Sequence, residues 1–256
     1  MFGKLKRIAA VIAAAAICLT VAAAPVSAAE TQSAWSEAKA LTSAKYRSQY
    51  IKWAEKYSEK ESSNTITYGK SKTKKFMEKM KKNITDEDSE YAFNMINANT
   101  LLSAVRKGDN IKLIIYDKKL PLNVGVYADS KYEATVFIED KLKITDETTD
   151  TFTPEYCYLA IIDALNLNAD DSTEGKRIKF KSDDKIYFYE EFESDKFGDM
   201  GYLFTENGTP IAMVTGGVAY CIRMSYSVDD SEFDIPAAYK EAGFLEMMAI
   251  LEKLEQ

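Results

Sequence analysis

The chain of 256 residues contains no histidine. Histidine is the usual general base near neutral pH and the commonest transition-metal ligand in proteins. Its absence excludes Ser-His-Asp and Cys-His nucleophile arrangements and the His-based zinc-peptidase motif. A pair of carboxylates that meet only in space stays open, so a carboxylate-dependent glycan hydrolase is the weaker alternative function. We expect a non-enzymatic protein with no cofactor and no metal.

Cysteine is scarce, with three residues in the whole chain. Cys18 lies in the N-terminal apolar run, which leaves Cys157 and Cys221 for the folded body. Side-chain alternation puts Cys221 on the polar side of a strand, whereas Cys157 belongs to a helix that should cover the apolar side. We therefore expect two free thiols, with a disulfide as the alternative that an exported chain permits.

Long hydrophobic runs are also scarce, and the one present is N-terminal. Lys4, Lys6 and Arg7 precede an Ala-rich apolar run over residues 8–24, and small residues follow it at 25–29. This run is shorter than the roughly 20 residues of a spanning helix, and the order of features is typical of a signal peptide. We predict that residues 1–29 are a signal peptide cleaved near Ala28-Ala29 and that the mature protein is secreted or extracytoplasmic. An uncleaved membrane anchor is the alternative.

Charge is unevenly distributed along the chain. Residues 39–82 hold 13 Lys and Arg against four acids, whereas residues 83–256 hold 17 basic and 34 acidic residues. An acidic body disfavours nucleic acid as a partner. The basic front segment could contact an anionic envelope surface or rest against the acidic body of the same chain.

Residues 30–70 are predicted to form a basic, aromatic N-terminal helix and a linker. Within 34–60, apolar and aromatic residues recur at spacings of three and four, which is the pattern of an amphipathic helix. Such a helix could pack on the domain, or it could be a basic arm that binds a membrane surface or a partner. Its stripe consists of Trp35, Ala38, Thr42, Tyr46, Tyr50, Trp53 and Tyr57.

A second basic helix is predicted over residues 71–82. Phe76, Met77 and Met80 give it a narrow apolar edge, and lysines fill most of the rest. A run of like charge is usually a solvated helix face, but it could also contact an anionic envelope surface. The lysines concerned are Lys72, Lys74, Lys75, Lys79, Lys81 and Lys82.

The period of the pattern changes to two from residue 90, which predicts strands. Strand candidates lie at 91–98, 111–117, 122–128 and 133–139, and consecutive antiparallel strands fill 175–239. Asn207-Gly208 predicts a type I′ hairpin turn, and Thr153-Pro154 opens a buried helix. A C-terminal helix should turn its leucine and methionine face inward. That face comprises Leu245, Met248, Leu251 and Leu254.

These elements predict an α+β domain over residues 71–256, which ends in the motif Phe233-Asp234-Ile235-Pro236-Ala237-Ala238-Tyr239-Lys240. Over residues 71–240 the layout and this motif resemble the lipoprotein-carrier (LolA/LppX-like) superfamily, in particular its exported Gram-positive relatives. The resemblance implies a strongly curved antiparallel sheet, a half-barrel, wrapped over helices. Its concave side would enclose acyl chains or another apolar ligand. The N-terminal amphipathic helix and the helix after Phe244 depart from that pattern.

Apolar residues of the second group of strands are the ligand-binding candidates. Alternation alone does not separate a lined cavity from a filled core. We expect an exported binding protein for a lipid-like or amphipathic ligand. The alternative is a structural or interaction module with a filled core, whose partner is an exported or membrane protein. The candidate residues are Ile178, Phe180, Phe188, Tyr202, Phe204, Ile222, Met224 and Tyr226.

Overall fold

A computed structural model describes residues 64–86, 89–97, 99–120, 122–147, 153–165, 169–182, 184–194, 198–215 and 218–254. The predicted signal peptide and the predicted helix at 34–60 lie outside these ranges. Within them, no helix combines the length and the apolar character needed to cross a bilayer.

One sheet of 13 strands dominates the fold, as the strand pattern predicts. Its order is β1-β8-β9-β10-β11-β12-β2-β3-β4-β5-β6-β7-β13, so it is open, with two ends. All neighbours are antiparallel except β13, which pairs in parallel with β7 and makes the sheet mixed rather than wholly antiparallel. The strands are β1 Asn64–Thr67, β2 Glu90–Ile96, β3 Thr100–Lys107, β4 Asn110–Asp117, β5 Val124–Ala128, β6 Glu133–Phe137, β7 Leu142–Asp146, β8 Glu174–Ser182, β9 Lys185–Ser194, β10 Gly198–Thr205, β11 Pro210–Thr215, β12 Val218–Ser225 and β13 Lys240–Glu241.

Three helices accompany the sheet in the described part of the chain. Helix α1 (Lys72–Thr85) connects β1 to β2, helix α2 (Pro154–Leu165) connects β7 to β8, and helix α3 (Phe244–Leu254) ends the described chain. The predicted helix at 71–82 is confirmed; it begins one residue later and ends three residues later than predicted. The predicted strands near 91, 111, 122 and 133 are confirmed as β2, β4, β5 and β6.

The main core lies between the sheet and helices α1 and α2, on what we call the helix face. Helix α1 contributes Phe76, Met80 and Ile84, and α2 contributes Ile161 and Leu165. Directly paired residues on neighbouring strands share a face, so the register identifies the sheet residues that complete this core. They include Tyr91, Phe93, Leu102, Leu113, Val126, Phe192, Met200, Tyr202, Phe204, Met213, Tyr220 and Ile222.

The opposite side of the sheet, the outer face, is crossed by the segment that follows β12. In this strap, residues 228–239, Ile235 and Tyr239 pack on a cluster that includes Ile96, Ile114 and Val136. The Lys107 Nζ lies 2.6 Å from Asp230 Oδ1, and a second ion pair joins Lys112 to Glu232. The strap therefore holds the chain against the sheet before β13 joins the edge.

The β10–β11 hairpin differs from the predicted type I′ turn. Gly208 has φ +81°, but Asn207 does not have the positive φ that this turn type requires. The Gly208 N–H donates to the Thr205 carbonyl at 2.9 Å, and the Thr205 N–H donates to the Thr209 carbonyl at 2.9 Å. The loop has four residues, 206–209, and a type I′ hairpin allows only two. The connection is instead a longer turn in which Gly208 has the left-handed backbone conformation.

The predicted inward face of the C-terminal helix is wrong. Leu245 is 80% exposed and Met248 is 36% exposed, whereas Ile250 is only 1% exposed. Ile250 packs beside Phe137 of β6, so the side of α3 that carries Ile250 meets the core. The side chains of Leu251 and Leu254 lie outside the described part of the structure.

Cys157 and Cys221 are both free thiols, as predicted. Cys157, a residue of α2, is buried in the main core. Cys221 pairs with Ala212 and Ile96, which are outer-face residues. The sheet itself therefore separates the two sulfurs.

Candidate functional site

A buried carboxylate fixes the start of helix α1. Glu190 on β9 is fully buried on the helix face and accepts the backbone N–H of Lys72 at 3.0 Å and that of Thr73 at 2.8 Å. The Thr73 hydroxyl also donates to it at 2.8 Å. The Ser71 Oγ accepts the N–H of Lys74 at 2.8 Å. The first three amides of the helix, which have no partner within it, are thus all satisfied, and the negative charge lies at the positive end of the helix dipole.

Arg177 on β8 neutralises this buried carboxylate. It is paired directly with Glu190 across the two strands, and its Nε donates to Glu190 Oε1 at 2.7 Å. Its Nη2 donates to the same oxygen. A buried carboxylate is tolerable only when paired and hydrogen-bonded, and both conditions hold here. Strands β8 and β9 therefore set the position of α1 and of its lysines.

Lys72, the first residue of α1, lies over an aromatic ring. Its Nζ is 4.5 Å from the centroid of the Phe188 ring and donates to the Glu206 carbonyl at 3.1 Å. The Nζ of Lys179, from β8, lies 5.8 Å from the same centroid. Both distances are within the range of cation–π attraction. Phe188 is half-buried, so this contact lies at the margin of the core.

Lys79 repeats this arrangement two turns further along the helix. Its Nζ lies 5.3 Å from the ring centroid of Tyr226, which follows β12 and is 42% exposed. Lysines at spacings of three and four share one side of a helix, and α1 has four of them. We call these lysines and the two rings the α1 surface; it comprises Lys72, Lys75, Lys79, Lys82, Phe188 and Tyr226.

The remaining two lysines of the predicted basic set, Lys74 and Lys81, are seven residues apart on another side of α1. Lys74 Nζ lies 2.5 Å from Asp171 Oδ1 and 3.6 Å from Glu78 Oε1. The hydrogen bond to Asp171 raises the pKa of the Lys74 ammonium. Lys74 is thus engaged by the body of the protein, and the structure separates it from the α1 surface.

Three of the eight predicted ligand-binding residues belong to the main core on the helix face. Tyr202, Phe204 and Ile222 are at most 3% exposed. The ring of Phe204 lies 6.3 Å from that of Phe76, and the Tyr202 hydroxyl donates to the Leu165 carbonyl at 2.7 Å. Side chains and backbone of α1 and α2 therefore occupy the space next to them.

The other five candidates divide between two sides of the sheet. Phe188 and Met224 are half-buried beside the core, and Tyr226 is exposed. Ile178 and Phe180 lie on the outer face, because Ile178 pairs with Tyr189 and Tyr189 pairs with Leu203, away from the helices. The eight residues consequently do not line one face. Their role in ligand binding stays a prediction.

Glu190 is the site residue that the sequence patterns did not identify. It has the same parity as Phe188 and Phe192, so the alternation that predicts β9 also places an acid on its apolar side. An acid at such a position needs a buried partner, and the helix N-terminus and Arg177 supply it.

Three further results bear on chemistry and relationships. Within the described ranges, no group of three or more Cys, Asp or Glu side chains is arranged to hold a metal ion. The chain matches no protein-family model and no curated protein.

Proposed function

We propose that the protein is an exported, non-enzymatic binding protein that docks on an anionic lipid surface through the α1 surface. The observation that carries this proposal is that the ammonium groups of Lys72 and Lys79 lie over Phe188 and Tyr226 along one side of a helix. Aromatic rings favour the headgroup level of a bilayer, and neighbouring lysines contact lipid phosphates. The signal-peptide pattern at residues 1–29 supports export.

The expected affinity follows from the number of lysines. A lysine near an anionic membrane contributes about 1 kcal/mol, so four contribute about 4 kcal/mol, equivalent to a dissociation constant of about 1 mM. The chain has a net charge of −7, so the rest of the molecule is on balance repelled by an anionic membrane. Docking by α1 alone is consequently weak, reversible and oriented.

We also propose that the sheet curves around α1 and α2. Cys157 Sγ lies 3.8 Å from the Lys112 carbonyl on β4, and the Leu165 carbonyl accepts from Tyr202 on β10. These two α2 residues are about 12 Å apart along the helix. A flat sheet would separate β4 from β10 by five strand spacings, about 24 Å. Curvature explains how one short helix reaches both strands.

In this proposal the lipid contacts the surface and is not enclosed by the sheet. The contacts of Phe204 with Phe76 and of Tyr202 with Leu165 support a core filled by protein. Mass spectrometry of an organic extract of the purified protein tests this point. The expected result is no stoichiometric lipid, and one lipid per chain would instead support a carrier with an enclosed ligand.

Vesicle co-sedimentation of the chain from residue 30 tests docking. We expect binding to vesicles that contain phosphatidylglycerol and none to phosphatidylcholine alone. Replacing Lys75, Lys79 and Lys82 by glutamine should lower the bound fraction at least tenfold. A matched control changes three exposed lysines elsewhere to glutamine and should bind as the unmodified chain does; these are Lys119, Lys131 and Lys240. Equal loss in both variants would refute a specific α1 surface and leave only a net-charge effect.

A second candidate function is supported by helix α3. Phe244 and Leu245 are 64% and 80% exposed at its start, and exposed apolar residues of this size are common in protein–protein contacts. The protein would then be an interaction module for an exported or membrane protein. If replacing Phe244 and Leu245 by serine lowers vesicle binding while the α1 variant does not, α3 is a lipid contact, and this would contradict a protein partner there.

A further inference from the structure

The outer face of strands β8–β11 carries an apolar cluster of its own. Ile178 pairs with Tyr189, Tyr189 with Leu203, and Leu203 with Ala212, so one row of side chains crosses four strands. The five core residues of the cluster are at most 8% exposed, and three further residues pack against them. The full set is Ile178, Phe180, Tyr189, Leu203 and Ala212 with Tyr187, Ile211 and Val214.

This degree of burial requires a layer of protein above the sheet. Side chains stand roughly perpendicular to a sheet, so strand neighbours shield their flanks and not their tips. Leu203 is nevertheless only 3% exposed and Tyr189 only 4%. Within the described ranges, the apolar residues of this cluster all come from β8 to β11. Helices α1 and α2 lie on the other face, and the strap covers the neighbouring cluster.

We propose that the aromatic segment 34–60 of this chain docks on this cluster. It ends four residues before β1, and β1 pairs with β8 from Asn64 opposite Arg177. Four residues span at most about 14 Å, so the segment must approach the sheet at the edge formed by β1 and β8. Ile178 and Phe180 are on β8. The exposed apolar residues of α3 lie near the opposite edge, next to β7 and β13.

The dimensions of the segment fit the cluster. As a helix, its stripe from Tyr46 to Tyr57 would extend about 16 Å. Strands β8 to β11 span three strand spacings, about 14 Å. The surface is also locally flat, because the ring of Tyr189 lies across Gly201, where an added Cβ would overlap the Tyr189 hydroxyl oxygen. A ring folded down over a glycine leaves room for a helix to lie on the sheet.

Charge complementarity points to the same occupant. Glu193 pairs with Asp199, and Glu191 pairs with Gly201, so three acids lie on the outer face beside Tyr189 and Leu203. The segment carries six basic residues between 39 and 60 against two acids. Basic side chains that flank an aromatic stripe would meet these acids when the stripe covers the apolar row. The segment is then a built-in layer of the domain and not a free arm.

The two tryptophans of the chain, Trp35 and Trp53, are both in this segment, which gives a direct test. In a Trp35→Phe background, the fluorescence emission of Trp53 in the folded protein should be blue-shifted relative to the protein unfolded in urea. Acrylamide should also quench it at least fivefold less in the folded protein. Ile178→Asn should restore much of the quenching. Ile138→Asn, at a 5% exposed position of the neighbouring cluster, should not. Solvent-like emission that shifts to the blue only with anionic vesicles would overturn the proposal.

Photo-crosslinking tests the contact without altering the sheet. Benzoylphenylalanine in place of Trp53 should crosslink within the same chain to peptides from β8–β11, identified by mass spectrometry. Crosslinks to α1 or α3, or to a second copy of the chain, would overturn the assignment. Because vesicle binding plays no part in this readout, it is independent of the function proposed for the α1 surface.

Discussion

The carboxylate of Glu190 accepts the backbone N–H of Thr73 at 2.8 Å across 117 positions of sequence. Through this contact a strand residue caps a helix, and the Arg177–Glu190 pair joins that helix to two strands. Removing the carboxylate leaves two helix amides and a guanidinium without their acceptor.

We expect Glu190→Ala to lower the free energy of unfolding by about 3 kcal/mol. This is the lower end of the range for breaking a buried ion pair, because the Arg177 side chain is 28% exposed and can reach water. Urea denaturation followed by circular dichroism measures the change. The control is Glu174→Ala, an exposed position at the start of the neighbouring strand β8 that should cost under about 0.5 kcal/mol. Equal stabilities of the two variants would contradict the capping role.

Gly201 and Tyr189 should be energetically coupled. An alanine methyl group at 201 overlaps the Tyr189 ring, so Gly201→Ala should destabilise the protein by about 1–3 kcal/mol. In a Tyr189→Ala background the overlap is absent. Gly201→Ala should then be neutral or stabilising by about 0.5 kcal/mol, because alanine is less flexible than glycine when unfolded. A double-mutant cycle in urea measures the coupling, and additive effects would contradict it.

The buried tyrosines should make the fold sensitive to alkali. Burial raises the pKa of Tyr91, Tyr127, Tyr189 and Tyr202. A raised pKa means that the folded state favours the neutral phenol. The contribution of these phenols to the stability of the fold is therefore complete below about pH 10. It is lost above that pH, because there the unfolded chain ionises. Four such groups lower stability by at most about 5 kcal/mol per pH unit there.

Phenolate absorbance during an alkaline titration checks this expectation. These four tyrosines should ionise in a cooperative step that coincides with the loss of circular dichroism. In urea, all tyrosines should ionise in one ordinary titration near pH 10. Gradual ionisation of all tyrosines with the fold intact would contradict their burial.

The two cysteines should differ in reactivity. Burial raises the pKa of both thiols, and Cys157 is fully buried whereas Cys221 is partly exposed. The thiolate is the reactive form, so alkylation of Cys221 should be slow at neutral pH and faster as pH rises, and Cys157 should react only after unfolding. Intact-mass measurement with iodoacetamide follows both steps. Failure of either thiol to react in denaturant without reductant would indicate a disulfide and contradict the free pair.

Local patterns predicted the elements more successfully than their faces. The Phe-Met edge predicted α1, and alternation predicted most strands. Alternation does not predict strand β3. Residues 101–106 are all buried, so side chains on both faces of this strand are apolar or paired. The sequence therefore shows no alternation of apolar and polar residues there. The start of α3 was misjudged because a stripe predicts a buried face only where a partner surface is present.

The site was predictable only in part, since alternation relates residues within one strand but not between strands. The outer-face position of Ile178 relative to Tyr202 depends on the β8–β9–β10 register, which the two hairpin connections set and alternation within one strand does not reveal. The lysines of α1 were identified as a set. Which of them share a side with Phe188 and Tyr226 depends on the anchor at Glu190, a contact between segments far apart in sequence.

The place of β1 in the sheet has a consequence for how the chain folds. Among the described residues it pairs with β8 alone, where Asn64 meets Arg177, so as the chain emerges N-terminus first this strand waits for more than 100 further residues. Such distant pairings impose a large loop-closure cost before any contact is gained, and folding is slow when they dominate. Strands β2–β7 and strands β8–β12 each pair with sequence neighbours and can form first, which leaves the distant β1–β8 and β12–β2 pairings as the last to close.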